Sequence, residues 1–549
     1  MSTDGVRGGR DALSFTAMPR TRILADRPHL WAFIAGCVAV TIGVLMHLPM
    51  FWMGRDNGFR LADMPMDGEM VVGMALIIVG IAVAGYGLLP RKPGAAAAAA
   101  QRLTVSAPED APLTRAHWRL MVVLTVALVI DVMKPASLGF VVPGMKAEYG
   151  VSKAMVAWLP FAALCGTVVG SMLWGWLADV YGRRASILLS AVMFVGTAIC
   201  GAMPSFWWNV GMCFMMGAAA GGMLPVTYAL LAETMPSKHR GWVLVLVGGL
   251  GAVGGYLAAS GVAAWLEPIL SWRILWFMNL PTGLLLIFLN VFIPESPKFL
   301  LAMGRDDEAH TTLRGFGCEV HEVAAREDDV DSASIAPVFD IAHGMAARTW
   351  ALSITALSWG LINFGLLLWM PAHLVEKGYS MAISSELLAA SALIAIPTVF
   401  ASALLYSRWS SKGALLAAIA ITAAGLLGLI QLELATPGRI SPVWAIALLI
   451  IGINGIIAML LPYAAESYPL GIRGRATGWV AACTKGGGLI AQLLSLLGLV
   501  PVLFIAALLI LMPVLVSLAL VWRCCIETRG RDLRDLEPGG VAKALGPAG

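Results

Sequence analysis

Three ionisable side chains stand inside long apolar stretches of the sequence, where water cannot solvate them. Asp131 and Lys134 lie three residues apart, so they share one face of a helix. Lys485 precedes three consecutive glycines, Gly486 to Gly488, which on sequence grounds leave room beside its amine. An ionised group at the centre of a lipid bilayer costs about 2.5 to 3.5 kcal/mol. We therefore expect these three groups to be kept for their chemistry.

The chemistry that these residue types support is proton exchange and anion binding. Asp131 is predicted to take up the coupling proton, and the alternative is that Asp131 and Lys134 only neutralise each other as a structural pair. Lys485 has three interpretations: contact with substrate or with the proton-linked charge, pairing with Asp131, or extension of its amine to the membrane surface. Because two lysines accompany one acid, an anionic substrate is favoured, and both lysines are predicted to bind it.

Three further residues are predicted to line the substrate site. Asn363 and Asn454 lie midway along later apolar stretches, and Trp359 lies one turn before Asn363. The alternative for the two amides is hydrogen bonding to neighbouring helices. The alternative for Trp359 is a position facing lipid.

The sequence contains no arrangement typical of catalysis or of a cofactor site. A phosphate-binding glycine loop, a metal-ligand cluster, and a nucleophile with a suitably spaced base are all missing. The eight cysteines are scattered, mostly within apolar stretches, so neither disulfides nor a metal site is predicted. We expect no enzymatic activity and no cofactor, and an ion gradient as the energy source.

The elements that must position these residues are membrane-spanning helices. Hydrophobic residues make up 59% of the 549 residues and charged residues 13%, whereas soluble domains carry about 25% charged residues. Fourteen apolar stretches have the length of roughly 20 residues that a helix needs to cross a bilayer. The first two run from Leu30 to Met53 and from Met70 to Leu89, and twelve core spans lie between Arg119 and Arg523. The predicted fold class is an all-α polytopic membrane protein.

Two motif pairs indicate that the twelve core spans form duplicated halves of six. The segment from Glu233 to Gly241 is repeated from Glu466 to Gly474, and Glu295 is matched by Glu527, 232 residues later. Duplicated halves of this kind bind substrate between them and rock about it. The predicted domains are an N-tail (1–29), an accessory transmembrane hairpin (30–89), a linker (90–118), a first six-helix bundle (119–293), a central loop (294–349), a second six-helix bundle (350–523) and a C-tail (524–549).

The distribution of Lys and Arg predicts the orientation in the membrane. Arginines of the N-tail and basic residues of alternate loops fall on one side if both termini are cytoplasmic, as the positive-inside rule requires. The first apolar stretch is too long for a cleaved signal, so it is interpreted as a retained helix. We predict a monomer surrounded by lipid in a bacterial inner membrane, with no nucleic-acid partner. The accessory hairpin is either a docking or capping element or a plain appendage.

One loop resembles the signature loop of the major facilitator superfamily. It runs from Gly175 to Arg184 as Gly-Trp-Leu-Ala-Asp-Val-Tyr-Gly-Arg-Arg, and the two Glu-x-x-Pro-x-x-x-Arg-Gly segments resemble the sugar-porter, organic-ion and synaptic-vesicle-protein branch. The resemblance spans residues 119–537 and implies two pseudo-symmetric bundles with cytoplasmic gate residues. Those gate residues are Gly175, Asp179, Gly182, Arg183, Arg184, Glu233, Arg240, Glu295, Glu466 and Arg473. The alternative is that each charge only anchors its helix at the interface.

The sequence departs from the pattern of this family at three positions, so the substrate residues of relatives are not carried over. Ser407 replaces the aspartate in the matching loop of the second half, Cys213 stands where relatives often have an intramembrane arginine, and Met223 stands where a glutamate is common. Together with the intramembrane charges, the resemblance predicts a proton-coupled importer of a small organic anion, either an aromatic acid or another carboxylate. The alternatives are an exporter or uniporter of a drug, an organic cation or a neutral metabolite, and a sensor or scaffold without transport.

Overall fold

The described chain is helical apart from one small sheet. The computed structural model describes residues 27–89, 103–106, 112–221, 223–295, 297–302, 305–317, 319–322, 343–434, 442–468, 470–499 and 502–529. The accessory hairpin consists of α1 (Arg27–Leu45), α2 (Leu48–Met53) and α3 (Gly68–Leu88).

The helices of the first half follow the order of the predicted core spans. They are α4 (Arg115–Tyr149), α5 (Lys153–Val156), α6 (Trp158–Tyr181), α7 (Arg183–Gly196), α8 (Phe206–Ala220), α9 (Met223–Thr234), α10 (Ser237–Leu270), α11 (Ile274–Phe277) and α12 (Asn279–Leu289), with 3-10 turns at Thr197–Ala202 and Asn290–Phe292. Two short helices, α13 (Pro297–Ala302) and α14 (Asp306–Phe316), follow in the central loop.

The second half repeats this arrangement. Its helices are α15 (His343–Leu361), which continues through a π-helical segment (Ile362–Leu366) into α16 (Leu367–Glu376), then α17 (Met381–Arg408), α18 (Ser411–Leu434), α19 (Pro442–Ser467), α20 (Leu470–Leu496) and α21 (Leu503–Cys524). Helices of the two halves pack against each other along α10 with α17, α6 with α20, and α4 with α16.

Twelve helices of the described chain are long and apolar enough to cross a membrane, and they include both helices of the hairpin. Two more predicted spans are helical but are not among the twelve. One is divided into α8 and α9, and the other, α20, is less apolar because it carries Lys485, Gln492 and three consecutive glycines. The all-helical membrane architecture is therefore confirmed, whereas the total of fourteen spans stays a prediction.

Glycines determine how closely the two hairpin helices approach. Gly36 and Gly43 on α1 face Gly80 and Gly73 on α3, and a Cβ added at any of the four would lie within 2.9 Å of a carbonyl oxygen of the other helix. The spacing of seven residues on both helices keeps this seam on one face, as in a left-handed helix pair. The backbones can pack this closely because neither helix has a side chain at these points.

The hairpin packs on the first half. Its apolar side chains share a buried cluster with residues of α7 such as Leu188, Val192 and Val195. In its loop, the backbone N–H groups of Leu61 and Ala62 donate to the Glu148 carboxylate at 2.7 and 3.1 Å. The hairpin is therefore attached to the first half by apolar and polar contacts, and its role, docking or capping element or plain appendage, stays a prediction.

Glu148 lies at the centre of a buried polar network at this end of the first half. Arg273 pairs with Glu148 at 2.6 Å, and the two side chains are 0% and 5% exposed. Arg273 also donates to the carbonyl oxygens of Gly201 and Met203 at 3.0 and 3.1 Å. The pair thus ties the hairpin loop, the end of α4 and the turn before α11 to one another.

The linker and the central loop meet in a small antiparallel sheet. Strand β1 (Leu103–Ser106) pairs with β2 (Glu319–Glu322), and α14 packs its Phe316 ring against His117 of α4 with 5.1 Å between ring centroids. The sequence from 304 to 315 is typical of an amphipathic surface helix, and α14 buries one face there through Ala309, Leu313 and Phe316. The acidic stretch from 326 to 334 lies outside the described residues.

The two acids that the repeat matches have the same function in both halves. Glu295 accepts hydrogen bonds from the backbone N–H groups of Arg183 and Arg184, which begin α7, at 2.9 and 3.2 Å. Glu527 accepts one from the N–H of Ser411, which begins α18, at 2.9 Å. The first N–H groups of a helix have no partner within it and carry partial positive charge, so a carboxylate stabilises them.

Breaking the Glu148–Arg273 pair should destabilise the protein strongly. Removing one partner of a buried ion pair costs about 3 to 5 kcal/mol, because the other charge is left buried without compensation. We expect Glu148→Gln to lower the melting temperature of the purified protein clearly. The matched control is Glu376→Gln, since the Glu376–Lys153 pair is 45% and 55% exposed and such pairs contribute at most about 1 kcal/mol. Equal melting temperatures for the two variants would contradict the prediction.

The capped start of α18 predicts a dependence of stability on pH. Burial raises the pKa of Glu527, but hydrogen bonds from Ser410, Ser411 and the Arg529 N–H outweigh burial and hold the pKa at about 2, below the ordinary 4.5. A depressed pKa stabilises the fold above the ordinary value, and this stabilisation disappears as the pH falls from about 4.5 towards 2.

We expect Glu527→Gln to lose roughly 1 kcal/mol at pH 7, the usual contribution of a helix cap. Its melting temperature should then fall less steeply than that of the wild type between pH 5 and pH 3. Melting curves across this range are the measurement. Parallel curves for wild type and variant would show that Glu527 does not contribute in this way.

Candidate functional site

Asp131 and Lys134 lie side by side in the middle of α4. The Lys134 Nζ is 3.9 Å from an Asp131 carboxylate oxygen, and the side chains are 4% and 12% exposed, respectively. No hydrogen bond reaches the Asp131 carboxylate within the described part of the chain. This carboxylate is therefore held by charge alone, unlike the fully hydrogen-bonded Glu148.

The amine of Lys134 points away from the second half. Its Nζ lies over the ring of Phe194, 3.0 Å from the centroid, and Phe194 belongs to α7 of the same half. This contact combines attraction between cation and ring with burial of the aliphatic stem. The predicted contact of Lys134 with substrate stays a prediction, and its described partners are Asp131 and Phe194.

Lys485 brings a second cation to Asp131 from the other half. It lies on α20, and its charge acts on the Asp131 carboxylate together with that of Lys134. Its Nζ lies 4.9 Å from the centroid of the Phe364 ring. The structure thus brings three of the predicted residues into one charged region, in which lysine charges of both halves act on one acid.

Two of the three glycines after Lys485 do not leave the room that the sequence suggested. A Cβ at Gly487 would lie 2.2 Å from the carbonyl oxygen of Leu357, and one at Gly488 would lie 2.8 Å from the Phe364 ring. These two glycines let the seventh core helix pack closely against α20. The expectation of open space is therefore wrong at Gly487 and Gly488, whereas a Cβ at Gly486 would meet only the Leu357 side chain, at 3.6 Å.

A π-helical segment interrupts the seventh core helix beside the charges. It spans Ile362–Leu366 and contains Asn363 and Phe364. Gln492 of α20 donates from its side-chain amide to the carbonyl oxygen of Phe364. Segments of this kind occur frequently at functional sites, because they leave backbone groups available to side chains or ligands. Sequence reasoning missed Gln492, and its only signal was an amide within an apolar helix, two turns after Lys485.

Trp359 and Asn454 lie beside the central charges and not among them. The Trp359 indole N–H donates to the carbonyl oxygen of Ile453 at 2.9 Å, which joins α15 to α19. Its ring stands edge-on to Phe364, with 5.6 Å between centroids. Asn454 lines a small pocket with Gly249 of α10 and residues of α17. Trp359 therefore lies between the Phe364 ring, which is beside Lys485, and the part of α19 that carries Asn454.

At the predicted cytoplasmic end, Gly182 forms the turn that the signature loop requires. Its φ of +98° favours glycine, and a Cβ there would lie 2.6 Å from the Glu295 carboxylate. Glu295 is fully buried and caps α7 through Arg183 and Arg184, as described above. Its described contacts thus lie within the first half.

A second acid at this end lies between the halves. Glu466 of α19 accepts hydrogen bonds from the hydroxyls of Tyr406 and Thr528 at 2.7 and 2.8 Å. The charge of Arg240 on α10 acts on it from the first half. The side chains of three predicted gate residues, Asp179, Glu233 and Arg473, lie outside the described part of the structure, as do the surroundings of Gly175.

The halves also meet at the opposite end. Lys153 pairs with Glu376 across the interface at 3.2 Å. Gly139 of α4 lies directly against the backbone of Leu368 on α16, so that an added Cβ would be 2.9 Å from the Leu368 carbonyl oxygen. With contacts between the halves at both ends, the central charges are enclosed.

Comparison with known proteins agrees with this architecture. The family model described as Major Facilitator Superfamily matches residues 123–492. The niacin transporter NiaP of Acinetobacter baylyi is 26% identical over 406 residues, which cover 71% of this chain and 89% of that protein. The benzoate transport protein of the same organism is 24% identical over 401 residues, which cover 70% and 84%.

Among solved structures, the proton:xylose symporter XylE shares the fold. With a bound brominated glucose it superposes with a TM-score of 0.59 at 16% identity, over 76% of this chain and 98% of that chain. The family model covers well over half of the chain, which confirms the resemblance found in the signature loop. The chain belongs to the Major Facilitator Superfamily and is a multi-pass membrane transporter, not an enzyme.

Proposed function

We propose that this transporter imports a small aromatic carboxylate together with a proton, by rocking of its two halves around the central charges. The observation that carries the proposal is the buried Asp131–Lys134 pair of the first half, on which the charge of Lys485 acts from the second half. Two relatives are named for niacin and benzoate, which are both aromatic carboxylates. A lysine beside aromatic rings suits this class of ligand.

The charges explain why a proton and an anion would move together. Two lysines and one ionised carboxylate sum to a net charge of +1. One proton on Asp131 and one monocarboxylate beside Lys485 leave that sum unchanged. Uncompensated charge within the bundle costs free energy. Binding the proton and the anion together therefore costs less free energy than binding either of them alone. The proposed stoichiometry is therefore one proton for each anion.

Lys485 is the proposed contact of the substrate carboxylate. While Asp131 is ionised, its negative charge and that of the substrate carboxylate would compete for attraction to the Lys485 amine. Protonation of Asp131 removes this competition, so Lys485 can bind the substrate carboxylate. The aromatic ring of the substrate would then lie near Phe364 and Trp359, which stand edge-on to each other. Asn363 of the π-helical segment is the proposed polar contact of ring substituents. Asn454 is proposed to line the path by which the substrate reaches Lys485.

Opening and closing are proposed to use the contacts at the two ends of the interface. Lys153–Glu376 joins the halves at one end, and Arg240 with Glu466 does so at the other. Breaking one contact while keeping the other would expose the central charges to one side only. The remaining gate residues, and a cytoplasmic position for both termini, belong to the same proposal.

Substitution of the central charges should separate proton coupling from binding. Proteoliposomes with an imposed inward proton gradient, supplied with labelled benzoate, 4-hydroxybenzoate or niacin, measure accumulation, and the same vesicles without a gradient measure exchange. We expect Asp131→Asn to abolish accumulation and keep exchange, because the neutral amide imitates the protonated acid. Lys485→Ala should weaken both, since a hydrogen bond to a charged group contributes about 1.5 to 3 kcal/mol, or roughly 10- to 150-fold in KM.

The control for these variants is Asp307→Asn, at an exposed acid of α14 outside both bundles. It should transport like the wild type. Normal accumulation by Asp131→Asn would refute the proton role of Asp131. Depletion of preloaded substrate under the same gradient would make the protein an exporter. No transport of any of these ligands by the wild type in either direction would favour a sensor.

The constant net charge of the site predicts that transport is electroneutral. Setting the membrane potential with potassium and valinomycin at equal pH on both sides should cause no accumulation. A pH gradient with the potential clamped at zero should drive accumulation fully. Accumulation that follows the potential would mean that the ratio of protons to anions differs from one.

A further inference from the structure

The hairpin contains a histidine with a buried nitrogen that lacks a partner. His47 is 0% exposed, and its Nδ1 lies 2.7 Å from the Gly43 carbonyl oxygen. A carbonyl oxygen only accepts, so Nδ1 carries the proton and Nε2 of the neutral ring presents a lone pair. No hydrogen bond reaches Nε2 within the described residues, although the atom is buried. In contrast, both ring nitrogens of the buried His117 have partners, Thr114 and the Thr234 carbonyl oxygen.

The surroundings of His47 are unusually rich in methionine. Seven of the 28 methionines of the chain fall between residues 46 and 74. Met50 and Met70 are 2% and 0% exposed in the apolar cluster of the hairpin, and Met74 packs against that cluster. A methionine side chain offers a thioether sulfur, which is a soft ligand without charge.

The packing of α1 on α3 places the imidazole against the helix that carries Met70 and Met74. A Cβ added at Gly73 would lie 2.7 Å from Cε1 and 3.0 Å from Nδ1 of His47, so this edge of the ring lies against α3 at this residue. Met74 follows Gly73 directly, and Met70 lies one turn before it on the same face of α3. Met50 lies three residues after His47. Nε2 is bonded to Cε1, the ring atom that lies nearest to Gly73.

We propose that His47, Met50, Met70 and Met74 form a binding site for a Cu(I) ion in the accessory hairpin. Imidazole and thioether are ligands that Cu(I) prefers, whereas Mg²⁺ and Ca²⁺ require oxygen ligands. A histidine that ligates a metal usually donates its other N–H to a carbonyl oxygen or a carboxylate, as His47 does to Gly43. A single positive charge suits this apolar site, near which Asp67 supplies the counter-charge that acts on His47.

Neither the cysteines nor the charged residues of the sequence mark this cluster as a metal site. Among the described residues no three His, Cys, Asp or Glu side chains are grouped as ligands for a metal ion. The methionines of an apolar helix are ordinarily core residues, so their spacing alone indicates nothing. The unpartnered Nε2 distinguishes this cluster from a plain core.

The test is titration of the purified full-length protein with Cu(I) under anaerobic conditions, with bicinchoninate as a coloured competing chelator. The wild type should remove one Cu(I) per chain from the chelator, and Zn(II) should not be retained. His47→Leu and Met70→Leu should each weaken binding by about tenfold or more, since even the groups that only orient a ligand contribute that much. The matched control is Met370→Leu, at a methionine of α16 that is 1% exposed and belongs to the main core.

Two readouts make the outcome decisive. Melting temperatures without copper should be similar for Met70→Leu and Met370→Leu, so a loss of binding cannot be ascribed to unfolding. X-ray absorption at the copper edge should show sulfur and nitrogen scatterers together. The proposal fails if the wild type binds no more Cu(I) than Met70→Leu, or if the bound copper has only nitrogen and oxygen neighbours.

Discussion

A charged side chain inside an apolar helical bundle needs a compensating partner next to it. This constraint determines which elements contact one another at both ends and at the centre of the molecule. Glu148 is paired with Arg273 at one end of the first half. At the opposite end of the molecule Glu295 caps a helix of the first half and Glu527 caps a helix of the second. At the centre, Asp131 is balanced by lysines of both halves. Each of these four acids therefore joins elements that lie far apart in the sequence.

These acids differ in how many hydrogen bonds their carboxylates accept. That difference distinguishes acids that hold the fold together from an acid that can change its partners. Glu148 accepts hydrogen bonds from Arg273, Trp272 and two backbone N–H groups, so any movement would break several at once. Asp131 has a lysine amine at 3.9 Å and a second cation further away. A carboxylate held only by charge can gain a proton or exchange partners at low cost, whereas a saturated one cannot. The central acid is thus the one suited to changing its state during a transport cycle.

The sequence predicted what depends on periodicity and repetition. Apolar stretches located the helices, the offset of 232 residues matched Glu295 to Glu527, and a spacing of three placed Asp131 beside Lys134. These inferences succeed because, in a helix, the spacing of two residues in the sequence determines whether their side chains lie on the same face.

What the sequence did not predict depends on which helices touch. Gly487 and Gly488 were expected to open space beside Lys485, and instead they let the seventh core helix pack closely against α20. Glu148 and Arg273 lie 125 residues apart in the sequence and near helix ends, where charged residues are ordinary, so nothing local marks them as a pair. The direction of the Lys134 amine towards Phe194 likewise depends on the packing of α4 against α7.

The position of the hairpin is consistent with movement between the halves. Its apolar cluster lies on α7, and its loop binds Glu148 at the end of α4, both in the first half. The contacts between the halves run along other helices, α6 with α20 and α10 with α17. An element attached to one half alone can move with it as a unit and adds no contact that rocking would have to break. The buried pair at its loop therefore stiffens the first half without restricting its movement against the second.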